Sequence, residues 1–495
     1  TSRESVPAPG DWNRIYMYGT NNQLSYFDYL YAANSLRVDG SNTTTNTTID
    51  NGYFAYMGPD AYGIYLYEGG GESVTNNNIT VSSSNWGIYN NDSESTSITN
   101  NTITAGYGIY INNSDGPNTI SSNTVSVGYR GLEVSSSNNT TLSNNTITGQ
   151  IQQRGIEINN SDISMVLNNH IERTEFNYDC CPEVYGIYHN NGALGSILKG
   201  NTIIFNDSTS TDNYMGTFIG IYSERSTIDS NYIDLHPRSL QWCSNVYMIR
   251  SNGSDILRNT LRAASSDECG DKYFIYSSGD SNDSLLIQNN SINLRHWGNY
   301  NWPQIIYTDS NNPSYDISYN EIKVNTSSLG RLLSLYGTTY FHDNEVIISQ
   351  HHNNNLIRIY TGQTSAIYSN RFELGTNNTN YLLDGDGIVL NFYSNIINLK
   401  DQPVINLTGG SSGNIYNNTM ISTDGEYGLH MVGSDMVVKN NNLVGFTASV
   451  YNENSTMNFN IAHNNTWNTS APYSGTGLPP AIGSMIDVNA NGTTS

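Results

Sequence analysis

Apolar residues in this chain come in short, mostly alternating bursts that restart every 22 to 32 residues. The stretch "TNNTITAGYGIYINNSDGPNTISSNTVSVG" (99–128) contains one full lap. It reads Asn-Thr-Ile-Thr, then Gly-Ile-Tyr, then Asn-Thr-Ile, and begins again at Asn123 with Asn-Thr-Val. The Asn-led element is placed at Asn78, Asn101, Asn123, Asn145, Asn169, Asn201, Asn231, Asn259, Asn290, Asn320, Asn344, Asn370, Asn395, Asn418, Asn442 and Asn465. Gly-Ile-Tyr recurs at 63–65, 87–89, 108–110, 186–188 and 220–222, with variants Gly131-Leu132-Glu133, Gly155-Ile156-Glu157 and Gly428-Leu429-His430. A third element closes each lap, as in Ser97-Ile98-Thr99 and Thr227-Ile228-Asp229.

Alternation of this kind is the signature of half-buried strands. Three strands of three to five residues cannot bury a core alone, but laps stacked at about 4.8 Å share one continuous column. The pattern therefore predicts an all-β chain, a right-handed parallel β-helix of three strands per turn and roughly 16 laps. The expected organisation is N-terminal cap strands over 1–60, the β-helix over 61–467, and a C-terminal tail or cap over 468–495. The leading Asn is expected to sit at a tight corner in the left-handed backbone region, its amide bonded to the Asn of the laps above and below.

Composition supports strands over helices. The 495 residues include 74 Asn, 37 Tyr and 44 Gly, and only 13% are charged. Net charge is −23, which disfavours nucleic acid and anionic lipid as partners. No run approaches 18 apolar residues, so no membrane span is expected. Thr1 opens the chain without Met, a start that a removed signal peptide would explain and that expression of a chosen segment would explain equally well.

The run "NNTIT…GIYI…NTISSNTVS" resembles the parallel β-helix repeat of the pectate-lyase-like superfold. It is especially similar to the Asn-rich variety in secreted and cell-surface proteins of methanogenic archaea, and the same repeat occurs in periplasmic copper-site maturation proteins. The resemblance covers residues 60–467 and implies the fold. It does not single out a function, because lyases, hydrolases, phage spikes and structural proteins share this superfold.

Five laps from Asn169 to Asn320 are longer, and their surplus residues fall at the same point of each lap. These loops are expected to form a lobe. They hold all four cysteines, Cys180, Cys181, Cys243 and Cys269. Cys180 and Cys181 are each expected to pair with one of Cys243 and Cys269, in an order left open, in an oxidising compartment. The same loops carry Arg238, Trp242, Asp267, Glu268, Arg295, His296, Trp297 and Trp302, candidates for binding or for subunit contact.

The chain has 22 Asn-x-Ser/Thr sequons. Those at Asn100, Asn144, Asn289, Asn417 and Asn464 directly precede an Asn of the repeat and are expected to face solvent as glycan acceptors.

No nucleophile-and-base spacing stands out, and no cofactor is expected. The closest carboxylate pair, Asp384-Gly-Asp386-Gly, reads as a turn, with calcium the alternative. The expectation is an extracellular, cell-surface structural protein, a sheath, surface-layer or fibre component that self-assembles through strand edges. A secreted polysaccharide lyase or hydrolase with its cleft in the loop lobe is the first alternative. A carbohydrate-binding adhesin or spike is the second.

Overall fold

The computed structural model describes residues 8–475, apart from 41–43, 163, 175–182, 191–194, 208–216, 238–244, 265–271, 281–282, 296–302, 310–312, 327–328, 350–353, 376–379, 454–459 and 468. Strand Thr102–Asn112 shows how one lap is built. Its first half pairs in parallel with Asn78–Thr80 one lap before and with Thr124–Ser126 one lap after. A register shift between Ala105 and Tyr107 turns the strand into a second sheet. There it pairs with Trp86–Asn91 and with Arg130–Ser135. The third sheet takes Ser97–Thr99 between Ser73–Thr75 and Thr119–Ser121.

Alternation then does the packing. Ile98, Ile103 and Ile109, one from each sheet, point inward and are at most 1% exposed. Each contributes about 2–3 kcal/mol by leaving water, but only because the neighbouring laps close over it. The chain divides between Asp255 and Ile256 into two units. Each is a parallel β-solenoid, with about 15 turns in all. No helix occurs among the described residues, so the expected all-β parallel β-helix is the observed fold. In the first unit, Tyr16–Tyr18, Leu36–Asp39, Gln23–Leu30 and Thr48–Ala55 already pair in parallel as laps.

The amide ladder runs from Asn77 to Asn231 in the first unit and from Asn259 to Asn464 in the second. At each of these steps one Oδ1 accepts two bonds from the lap before. Asn145 Oδ1, for example, receives the main-chain N–H of Asn123 at 3.0 Å and its Nδ2 at 2.9 Å. The Nδ2 of Asn145 donates to the Ile120 carbonyl at 2.9 Å and to Asn169 Oδ1 at 2.9 Å. These side chains are buried.

Three assignments need correction. The ladder members are Asn77, Asn441 and Asn464, not Asn78, Asn442 and Asn465. The inward residues of those laps are Ile79, Leu443 and Thr466, and period two puts the residue two places earlier on the same face. Asn464 is thus a buried rung, 1% exposed, and not a solvent-facing glycan acceptor. The left-handed residue is also not the ladder Asn but the one before it. Asn76, Asn100, Ser122, Asn144, Asn168, Gly200 and Ser230 in the first unit have φ between 54° and 67°. Arg258, Asn289, Tyr319, Asp343, Ser369, Ser394, Asn417, Asn440 and His463 in the second have φ between 53° and 58°. The corner is made there, which frees the ladder Asn to remain extended and reach along the stack.

The glycine of Gly-Ile-Tyr is a close-approach residue. A Cβ on Gly131 would stand 2.4 Å from the Gly155 carbonyl oxygen and 2.5 Å from Ile147 Cγ2. With the glycines stacked, the second sheet can fold tightly over the first.

Candidate binding face

The second sheet has an outer face, and the x-Gly-Ile-Tyr pattern decides what stands on it. In the laps of Trp86, Tyr107, Arg130 and Arg154 the residue before Gly and the residue after Ile both stand on the outer face, so each of these laps presents a pair; farther along, Tyr185 is only 5% exposed and Ile219 is fully buried. In the first unit one column is Tyr65, Tyr89, Tyr110, Glu133, Glu157, Tyr188 and Tyr222, one residue per lap in strict strand register. The parallel column holds Trp86, Tyr107, Arg130, Arg154 and Tyr185. Aromatic pairs therefore line the face, interrupted by two consecutive Arg-and-Glu laps.

The aromatic side chains are mostly half-buried. Trp86 lies 5.1 Å from Tyr110 at 21°, and Tyr188 lies 5.2 Å from Tyr222 at 16°. Burial first, then Tyr110 and Tyr62, pushes the Tyr89 hydroxyl up to about 12, and burial likewise raises Tyr110, Tyr185 and Tyr222. The phenols are held neutral and remain hydrogen-bond donors.

The two charged laps form a quartet. Arg130 Nη1 lies 2.8 Å from Glu133 Oε2 and 3.2 Å from Glu157 Oε2, while Arg154 pairs with Glu157. Arg130 Nε donates to Gln153 Oε1 at 2.6 Å, and the Arg154 guanidinium rests 4.0 Å over the Tyr188 ring. Glu157 is 2% exposed and sits beneath the two guanidiniums as an anchor. The Arg130 and Arg154 side chains keep 27% and 24% of their surface in solvent, so their outer N–H groups remain reachable. Burial, and then the neighbouring Arg130, lowers the Arg154 pKa from its usual value. Carboxylates that accept from guanidiniums are acceptors rather than acids. The arrangement suits recognition of hydroxyls better than proton transfer.

The second unit carries a related cluster on its corresponding sheet. Arg358 pairs with Asp384, which also accepts from Asn406 Nδ2 at 2.9 Å. Tyr381 Oη meets His430 Nδ1 at 2.7 Å, with Glu453 3.2 Å from His430 Nε2. Asp384 and Asp386 stand on strand Leu383–Asp386 rather than in a turn, because Gly387 at φ 60° supplies the bend. Asp386 accepts from Thr408 Oγ1 at 3.0 Å, so both carboxylates are engaged by protein groups.

Of the loop-lobe candidates only Arg295 is among the described residues. It is exposed at the end of strand Ser291–Arg295, where its Nε donates to Asn293 Oδ1 at 3.2 Å. Arg238, Trp242, Asp267, Glu268, His296, Trp297, Trp302 and the cysteines Cys180, Cys181, Cys243 and Cys269 lie outside the described residues. Asn100, Asn144, Asn289 and Asn417 are exposed at their left-handed corners. The sequence reading missed the aromatic face, although its signal was present. Arg130-x-x-Glu133 and Arg154-x-x-Glu157 replace two aromatic pairs 24 residues apart.

Fold and face together define a parallel β-helix protein with a lap-registered aromatic outer face. A family model described as periplasmic copper-binding protein (NosD) matches residues 38–233, less than half of the 495, and this span is the aromatic-faced part of the first unit. No curated protein matches the chain. Copper favours imidazole and soft sulfur ligands. Among the described residues no group of three or more His, Cys, Asp or Glu could hold a metal. His189 is buried inside the solenoid against Ser223, whereas His170 stands beside Glu172 on another sheet. The described residues do not fit a copper centre, and no step through copper is derived. No helix of the described residues is long and apolar enough to cross a membrane.

Proposed function

We propose that this is an extracytoplasmic polysaccharide-binding β-helix protein. The lap-registered aromatic face around the Arg130, Glu133, Arg154 and Glu157 quartet carries this reading. Flat, amphipathic rings suit the apolar faces of sugars, and the interspersed guanidinium, carboxylate and phenol groups suit their hydroxyls. The described family match, to a periplasmic family, supports a location outside the cytoplasm. The test is co-sedimentation with insoluble cellulose, chitin and xylan, comparing the native chain with Tyr89→Ala and Tyr110→Ala. The native chain should be retained on at least one of them, with the substitutions weakening retention at least fivefold. Retention on none would overturn the reading.

Self-assembly into a sheath, surface layer or fibre is the second reading. One observation favours it. Among the described residues Tyr16–Tyr18 and Gln23–Leu30 pair with strands on one side only, and Tyr26 is 83% exposed beside that edge. Negative-stain microscopy of native material should show ordered filaments or tubes under this reading, and scattered single particles would end it. Asn100, Asn144, Asn289 and Asn417 are proposed as glycan acceptors on such a surface.

A further inference from the structure

We infer that the face of the first unit takes one extended, uncharged polysaccharide chain lying along the stacking direction, about one sugar per lap, with the Arg and Glu quartet reading its hydroxyls at the centre. The inference rests on the binding reading above and adds orientation, ligand class and the residues that set specificity.

Orientation follows from spacing. Outward residues repeat once per lap, about 4.8 Å apart, and the aromatic rings of the column keep nearly that step, as in Tyr89 to Tyr110 at 5.0 Å and Tyr188 to Tyr222 at 5.2 Å. A pyranose in an extended chain advances by a comparable distance, so successive sugars can meet equivalent side chains. Running across the laps, a chain would meet only the few outward residues of a single strand. The column from Tyr65 to Tyr222 covers seven laps, aromatic on either side of a charged middle, and Arg37 and Arg250 follow in register beyond Tyr65 and Tyr222.

Ligand class follows from charge. Arg130 and Arg154 are matched by Glu133 and Glu157, so the centre has no net charge to offer a polyanion. The whole chain, at −23, repels one. Paired charges with free N–H and oxygen valences instead bridge neighbouring hydroxyls, donating to one and accepting from the next. Glu157, buried under both guanidiniums, is a positioning residue, while Arg130, Glu133 and Arg154 touch the ligand.

The experiment measures calorimetric affinity for oligosaccharides of two to eight sugars drawn from whichever polysaccharide the sedimentation assay retains, with oligogalacturonates as the charged control. Affinity should climb through about six sugars, and the neutral series should bind at least tenfold more tightly than the charged one. Glu133→Gln leaves a guanidinium in excess. It should weaken the neutral series at least fivefold and strengthen the galacturonates, while Glu133→Asp should restore part of the preference. Saturation by three sugars, a native preference for galacturonates, or an unchanged ratio in Glu133→Gln would overturn the inference while leaving polysaccharide binding in place. Absence of any retention in the sedimentation assay would remove both. Unfolding midpoints of the variants, expected to match the native chain within a few degrees, separate loss of binding from loss of fold.

Discussion

Asn123 Oδ1 accepts both the main-chain N–H of Asn101 and its side-chain Nδ2, each at 3.0 Å. One carboxamide thus closes two buried donors of the preceding lap, and the same relationship recurs along both units. The ladder is obligatory because every rung is inside. An unmet donor there keeps its full desolvation penalty.

Replacing a single rung should therefore cost more than one hydrogen bond. In Asn145→Ala, the N–H and Nδ2 of Asn123 lose their shared acceptor and the Ile120 carbonyl loses its donor. The expected loss is about 3 kcal/mol in urea unfolding. A cost below about 1 kcal/mol would mean that water replaces the ladder.

The residue one place earlier should behave in the opposite way. Asn144 is exposed with φ at 55°, and Gly200 already occupies the matching corner of another lap. Asn144→Gly should leave stability unchanged or raise it slightly. Asn144→Val should cost about 1–2 kcal/mol, the strain of a branched residue in the left-handed region. Equal midpoints for the two variants would contradict the corner assignment.

Glycine at the sheet junction should be irreplaceable while a neighbouring glycine is not. Gly131→Ala drives a methyl into the Gly155 carbonyl, whereas a Cβ on Gly128 meets nothing closer than 4.0 Å. The first change should lower stability by about 3 kcal/mol or more through overpacking against backbone, and the second should fall within about 0.5 kcal/mol of the native chain. Paired thermal melts of the two variants decide it.

Acid should weaken the first unit through His189. This imidazole is fully buried, its Nδ1 3.0 Å from Ser223 Oγ, and its Nε2 has no hydrogen-bond partner among the described residues. Burial lowers its pKa from 6.5 to about 4. The unfolded chain then takes up the proton more readily than the folded one between those values. The stabilisation is complete above about pH 6.5 and is lost as pH falls toward 4, by about 3 kcal/mol in all. His189→Gln should flatten that part of the stability–pH curve, and an unaltered slope would assign the acid sensitivity elsewhere.

How much of this was written along the chain can be judged residue by residue. Ile98, Ile103 and Ile109 were legible as core because alternation alone sends them to one side of a strand, and the 22-residue restart requires that neighbouring laps cover them. Asn101 and Asn123 were legible as rungs for the same reason. At Asn77-Asn78, Asn441-Asn442 and Asn464-Asn465 the two candidates are chemically identical, and the period of two counted back from the inward Ile79, Leu443 or Thr466 selects the first of each pair.

The aromatic outer face lay further out of reach. Arg130 and Glu157 are 27 positions apart along the chain, and their 3.2 Å contact exists because two laps lie in register one strand spacing apart. Local sequence determines which way each side chain points, since that depends on backbone alternation within a few residues. Which outward side chains become neighbours depends on lap length and on where each corner falls. Those are properties of the stacked solenoid, so its tertiary register decided that scattered Tyr, Trp, Arg and Glu residues form one surface.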